Sequence, residues 1–230
     1  MSLHGVPDVA VVPEAEVGAT AGAMLLDGIR AVVAAKGRCR LAVPGGTGPV
    51  GVFRWLAGTL PADLAQALIL TWVDERHAAA PADSNRQLAW DTWLSASAAP
   101  VREVPLDAPG TLAEAREAVA ARFAAELGGI DVALLGCGPD GHIASLFPGH
   151  PALEEPGPVL AVPDSPKPPP ERLTLSLPVL RDVELAVLVA TGAAKAAVLK
   201  QALAGHADVP LGRYVPRGAW RWVLDPGAAG

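Results

Sequence analysis

Residues 39–56, CRLAVPGGTGPVGVFRWL, decide the fold. Cys39 to Val43 is a short apolar run that stops at Pro44, the length of a buried strand and too short for a helix. After the turn, Val50, Phe53 and Leu56 recur every third residue, the spacing of a helix buried on one face. Between the two lies PGGTGP, residues 44–49, punctuation that neither a helix nor a strand interior tolerates. The order is therefore strand, glycine-rich turn, helix.

The same alternation extends in both directions. Upstream, Val17, Met24, Leu25, Ile29, Val32 and Val33 fall near a 3.6-residue period, and Gly37 sits where a C-cap belongs, so residues 17–35 read as a helix. Downstream, 68–73 is a second β-rich run ending in the charged DERH, residues 74–77. Helices are predicted over 85–94 and 112–127, and a third buried strand over 131–135 ends in GCGPDGH, residues 136–142. Strands follow over 159–162, 172–177 and 184–190, then a helix over 192–203 and a last strand over 220–224. Alternation of this kind predicts a three-layer, Rossmann-like α/β domain with a mainly parallel central sheet flanked by helices, one domain over 1–230. PDSPKPPPE, residues 163–171, holds five prolines, which forbid a helix and favour a stiff extended loop inside that domain.

Composition narrows the function. With 230 residues and 23.4 kDa, surface scaling gives about 9,800 Å² folded and about 71% of the unfolded surface buried, so the core needs neither disulfide nor metal. Cys39 and Cys137 are too few for a thiolate metal site and read as buried small hydrophobes in a reducing compartment. The five histidines show no zinc-type spacing, so no metal is expected. A net charge of −6 without a run of Lys or Arg argues against a nucleic-acid partner. Charges, Gly or Pro interrupt each apolar run before the roughly 18 residues of a membrane span, and the opening MSLHGVPDVAVVPEAE lacks a basic n-region. The expectation is a cytoplasmic protein without a membrane partner, monomeric or a small homo-oligomer.

In open α/β sheets ligands bind beyond the carboxyl ends of the strands, which points to PGGTGP, DERH and GCGPDGH. Gly45, Gly46 and Thr47 at a helix N-terminus suit a phosphate; a tight turn that needs glycine dihedrals fits the same residues. Arg76 offers a planar fork of donors to a phosphate or carboxylate, or else belongs to a solvated charge cluster beside Asp74. Lys167 and Arg172, flanking the prolines, are further cations, with ordinary surface charge as the alternative. Lys195 near a helix start is a weaker candidate still. His142, two residues after Asp140, is either a general base on a glycine-rich turn or a solvated loop histidine. Gly136, Gly138 and Gly141 satisfy GxGxxG literally, yet HIASLF is too short before Pro148 to be the helix a dinucleotide site needs.

Taken in order, PGGTGPVGVFRWLA, WVDERHAAAPADSNRQLA, DVALLGCGPDGHIASLFPGHPAL, VLAVPDSPKPPPERLTLSLPVL and LVATGAAKAAVL resemble the 6-phosphogluconolactonase family across most of residues 20–205. The resemblance implies a fold like that of glucosamine-6-phosphate deaminases and CoA transferases. It also implies cofactor-free hydrolysis of 6-phospho-D-glucono-1,5-lactone in the pentose phosphate pathway, so the expected partner is that small sugar-phosphate lactone. It makes His142 the general base, Asp140 its orienting carboxylate and Asp74 a catalytic neighbour. Gly45, Gly46, Thr47 and Arg76, helped by Lys167 and Arg172, become the phosphate holders. Backbone N–H groups near 136–138 are the expected oxyanion donors.

This chain departs from the family's usual GGSTP at Gly48, which lacks the second hydroxyl, a loss of about 1.5 to 3 kcal/mol if that hydrogen bond is charge-assisted. A deaminase on the same scaffold would carry a Glu after DGH, where this chain reads Ala144-Ser145-Leu146-Phe147. A non-catalytic sugar-phosphate sensor would need an output module. A serine esterase would need a G-x-S-x-G elbow, which the sequence lacks.

Overall fold

The computed structural model describes residues 5–230 and opens on a strand, β1 (Asp8–Val11), for which the sequence carries no pattern because Val9 and Val11 are exposed. The first four residues of the opening stretch and of the domain expected over 1–230 lie outside the described residues. α1 (Glu14–Lys36) contains the predicted helix and stops at Gly37, whose φ of 75° is the left-handed cap conformation that glycine adopts freely. At 23 residues, α1 is long and apolar enough by length and composition alone to cross a bilayer, although Asp27 and Arg30 interrupt its apolar run as expected from sequence. Here its apolar stripe, from Val17 to Val32, is buried against the sheet instead.

β2 (Cys39–Val43), the glycine turn and α2 (Val50–Thr59) follow as predicted. α1 and α2 touch backbone to backbone: a Cβ added to Gly18 would lie 2.5 Å from the Gly51 carbonyl carbon. Then come α3 (Ala62–Ala67), β3 (Leu68–Trp72), β4 (Asp74–Arg76), α4 (Asn85–Thr92), β5 (Arg102–Glu103), α5 (Leu112–Glu126) and β6 (Val132–Gly136). The chain continues through β7 (Val159–Val162), β8 (Arg172–Leu175), α6 (Leu177–Arg181), β9 (Leu185–Ala190), α7 (Ala196–Leu203), α8 (Pro210–Arg213), β10 (Ala219–Leu224) and α9 (Pro226–Ala229).

Seven strands form one sheet in the order β1-β10-β9-β6-β2-β3-β5, all pairs parallel. From β2 the chain winds one way through β3 to β5. It then returns to the other side of β2 at β6 and winds outward through β9 and β10. The switch point between β2 and β6 is where an open sheet leaves a crevice. A second sheet, β4-β8-β7, is antiparallel and adds a feature to the single parallel sheet expected from sequence. The solvated-cluster reading of DERH is thereby corrected: Asp74 to Arg76 form a strand of their own, and Asp74 and Glu75 are buried where β4 pairs with β8. The proline stretch joins β7 to β8 as the predicted loop.

The buried apolar residues form one contiguous cluster that includes both cysteines, and the accessible surface is 9803 Å², as the scaling estimate requires. At the amino ends of β2 and β6, Asp131 accepts hydrogen bonds from Arg40 Nε (2.8 Å), Arg40 N (2.9 Å) and Lys36 Nζ (2.7 Å), fastening α1, β2 and β6 together.

Candidate active site

The turn after β2 and the turn after β6 lie side by side at the switch point and enclose a cleft of about 340 Å³, a size suited to a small metabolite. Eight of the nine residues singled out from sequence line it: Gly45, Gly46, Thr47, Asp74, Arg76, His142, Lys167 and Arg172. The ninth, Asp140, stands behind His142. Its Oδ1 lies 2.5 Å from His142 Nδ1, so the neutral imidazole carries its proton on Nδ1 and donates to the carboxylate. Nε2 is left as the acceptor and has no partner among the described residues. Gly138 makes this pairing possible, since a Cβ there would fall 2.1 Å from His142 Cε1 and 2.4 Å from Asp140 Oδ1. No helix follows this turn, which agrees with rejecting the dinucleotide fingerprint.

Burial pushes the His142 imidazole below its ordinary value; the Asp140 carboxylate opposes this, and the Lys167 ammonium 3.4 Å from Nδ1 reinforces it. Burial raises the Asp140 carboxyl, but His142 and Lys167 outweigh it and hold that group below the usual carboxylate range. The pair therefore stands as neutral base and anion at neutral pH. Phe147 packs against the imidazole with ring centroids 4.8 Å apart.

Asp74 is a hub rather than a free acid. Its Oδ2 accepts from Ser145 Oγ at 2.6 Å, its Oδ1 from Asn85 Nδ2 at 3.3 Å, and Arg172 NH1 stands 3.7 Å from Oδ2. Glu75, next in β4, points the other way and takes the backbone N–H groups of Asn85 and Arg86 at 2.8 Å each, a carboxylate on the N-terminus of α4. That bond sets Asn85 beneath the glycine turn, so close that a Cβ on Gly45 would lie 1.7 Å from its Oδ1. Gly46 has φ 78°, so the tight-turn reading and the cradle reading describe the same loop.

Arg76 donates one hydrogen bond to the Asp83 carbonyl and otherwise faces the cleft. Arg172 spends its Nε on Pro169 O (2.8 Å) and one terminal nitrogen on Lys167 O and Pro168 O (3.1 Å each). The Gly138 N–H donates to His142 O at 3.0 Å, which removes it from the expected oxyanion donors: closing the turn consumes it. Sequence reasoning singled out neither Asn85 nor Ser145 and ranked Lys195 low, yet Lys195 lines the cleft and Asn85 and Ser145 hold Asp74. The DSNRQLA and IASLF stretches carried the available signal.

A parallel α/β sheet whose switch point holds a glycine turn, several cations and an Asp–His pair defines an α/β protein with a cleft suited to a small anionic metabolite. The chain belongs to the family described as glucosamine-6-phosphate isomerases/6-phosphogluconolactonase, whose model matches residues 13–222. It is 35% identical over 227 residues to the 6-phosphogluconolactonase of Mycobacterium tuberculosis, with 92% of each chain covered. To the 6-phosphogluconolactonase of Rattus norvegicus it is 52% identical over 102 residues, covering 43% of this chain and 40% of that relative's length. Among solved structures it is similar to the 6-phosphogluconolactonase of Trypanosoma brucei, with a TM-score of 0.86, 28% identity and 98% of each chain covered.

Proposed function

We propose that this protein hydrolyses 6-phospho-D-glucono-1,5-lactone to 6-phospho-D-gluconate, with His142 as general base. The observation that carries the reading is the His142 ring: Nδ1 fixed on Asp140, Nε2 unpartnered and facing a cleft lined by cations. Nε2 takes a proton from water while the water oxygen attacks the lactone carbonyl, and the carbonyl π pair moves onto its oxygen. Collapse of that tetrahedral intermediate breaks the bond to the ring oxygen, which leaves with the proton held on Nε2. Burial keeps the imidazole unprotonated, and Lys167 beside it acts in the same direction and supplies positive charge near the developing oxyanion. The turn at Gly45 to Thr47, with Arg76 and Lys195, holds the 6-phosphate, so that binding energy remote from the ester fixes the carbonyl near the base. Asp74, expected as a catalytic neighbour, takes a positioning role in this reading: it anchors Ser145, Asn85 and Arg172 into one wall of the cleft.

The names of the relatives support the lactone over an amino-sugar phosphate. So does the site: the only carboxylate lining the cleft among the described residues is Asp74, whose two oxygens are both bonded, so no free carboxylate is left to shuttle a proton between carbons.

The test is hydrolysis of freshly generated lactone, corrected for spontaneous opening. His142→Ala is expected to remove about 10²- to 10⁴-fold of the excess rate while the fold is retained. In the wild type, kcat/KM rises with pH on an acid limb set below the ordinary histidine value, since the burial of His142 favours its basic form. A wild type that adds nothing over the background rate would end the lactonase reading.

A further inference from the structure

The loop between β7 and β8 carries Lys167 to the catalytic pair, yet a lysine that is 42% exposed has no packing of its own to hold it there. Its backbone is held. Arg172, with its side chain only 6% exposed, sits under the loop and fans its guanidinium over three successive carbonyls, those of Lys167, Pro168 and Pro169, at 2.8–3.1 Å. The remaining nitrogen, NH1, faces Asp74 Oδ2, so the fan is fixed to the same hub that binds Ser145 and Asn85. Ser165 closes the loop from the other side: its Oγ donates to Lys167 O at 3.0 Å and lies 3.2 Å from Lys167 N. A lysine could not replace Arg172, because a single ammonium cannot reach three carbonyls and a carboxylate in one plane.

We propose that Arg172 is a positioning residue that holds Lys167 against the Asp140–His142 pair, and that it is not a ligand of the substrate's phosphate. The proposal rests on His142 being the base. It assigns the β7–β8 loop a role in catalysis that its prolines support, since they stiffen the chain on either side of Lys167. The charged groups facing His142 are Asp140 from its own turn, Lys167 from this loop and Asp74 from β4.

Arg172→Lys separates the two roles, because it keeps a cation opposite Asp74 and loses the fan. The expected result is a kcat about 10- to 10²-fold lower, the scale of a small misplacement near the chemistry, with KM changed less than about threefold. A tenfold rise in KM at unchanged kcat would overturn the proposal and return Arg172 to the phosphate. A second readout needs no activity: in an NMR titration of His142, Arg172→Lys moves the midpoint upward, toward that of Lys167→Ala. The double variant Arg172→Lys/Lys167→Ala then matches Lys167→Ala alone, whereas additive shifts or an unmoved midpoint would refute the coupling. If the wild type lacks lactonase activity, the function reading fails and the titration still decides this one. Should Arg172→Lys not fold, Arg172→Gln, which keeps an N–H donor for the loop carbonyls, is titrated in its place with the same two outcomes.

Discussion

Gly48 stands where the resemblance to the usual GGSTP turn breaks, and the structure shows that a glycine is not forced there. A Cβ there would meet only Val189, with Cγ2 at 3.8 Å and the carbonyl oxygen at 4.0 Å, ordinary contacts. Gly45 and Gly46 differ: the first is pressed on Asn85 and the second has a positive φ. Gly48→Thr should therefore fold normally and place a hydroxyl at the mouth of the glycine turn proposed to hold the phosphate. The expected outcome is a KM for the phosphorylated lactone lower by about 10-fold, the equivalent of roughly 1.5 kcal/mol from one charge-assisted hydrogen bond, with kcat little changed. Initial-rate kinetics on the two proteins decide it, and an unchanged KM means that another donor already fills that position. At this scale the local part of the site is legible from sequence, since Asp140 and His142 are two residues apart and meet through their own turn. Asn85 and Ser145 are not, because they reach Asp74 across 11 and 71 residues of chain.

At the scale of elements, strands such as β2, β7, β9 and β10 are legible because each packs four to six mainly apolar residues between turn residues. β1 and β5 escape for the opposite reason, one having an exposed edge and the other only two residues. β4 is hidden by its own charges: Glu75 is tolerated in the interior only because α4 brings N–H donors to it. Glycines within helices carry information of a different kind, since Gly18 and Gly51 let α1 and α2 approach backbone to backbone just after the glycine turn. Gly18→Val puts side-chain atoms where the Gly51 backbone lies, and backbone cannot rotate out of the way. The expected cost is about 3 kcal/mol, the upper end of overpacking effects. At this chain length that lowers Tm by roughly 6–12 °C. Thermal unfolding followed by circular dichroism measures it, and a drop below about 2 °C would mean that α2 shifts to accommodate the side chain.

For the molecule as a whole, one sheet separates two tasks. Its carboxyl ends at the switch point carry the cleft, and the amino ends of β2 and β6 carry the Asp131 cluster, which joins the two halves of the winding. The Asp131 side chain is 2% exposed, and burial alone would raise its pKa. The hydrogen bonds from Arg40 and Lys36 outweigh burial and hold it far below the usual carboxylate range. A carboxyl depressed by folding contributes stability that is fully present above its unfolded value of about 3.9 and is lost as pH falls through the folded one. Asp131→Asn removes that contribution and leaves Arg40, itself partly buried, without its counter-charge. The expected loss at pH 7 is about 3 kcal/mol, the low end for a broken buried pair, because Lys36 at 40% exposure regains water. The sign of the pH dependence separates this account from a simple packing defect. Urea unfolding of both proteins at pH 7 and at pH 3 should show the gap narrowing on acidification, since the unfolded wild type is protonated at Asp131 by pH 3 and folding must then remove that proton, a cost the variant never bears. A gap that stays constant between the two pH values would show that Asp131 joins β2 to β6 by shape and not by charge.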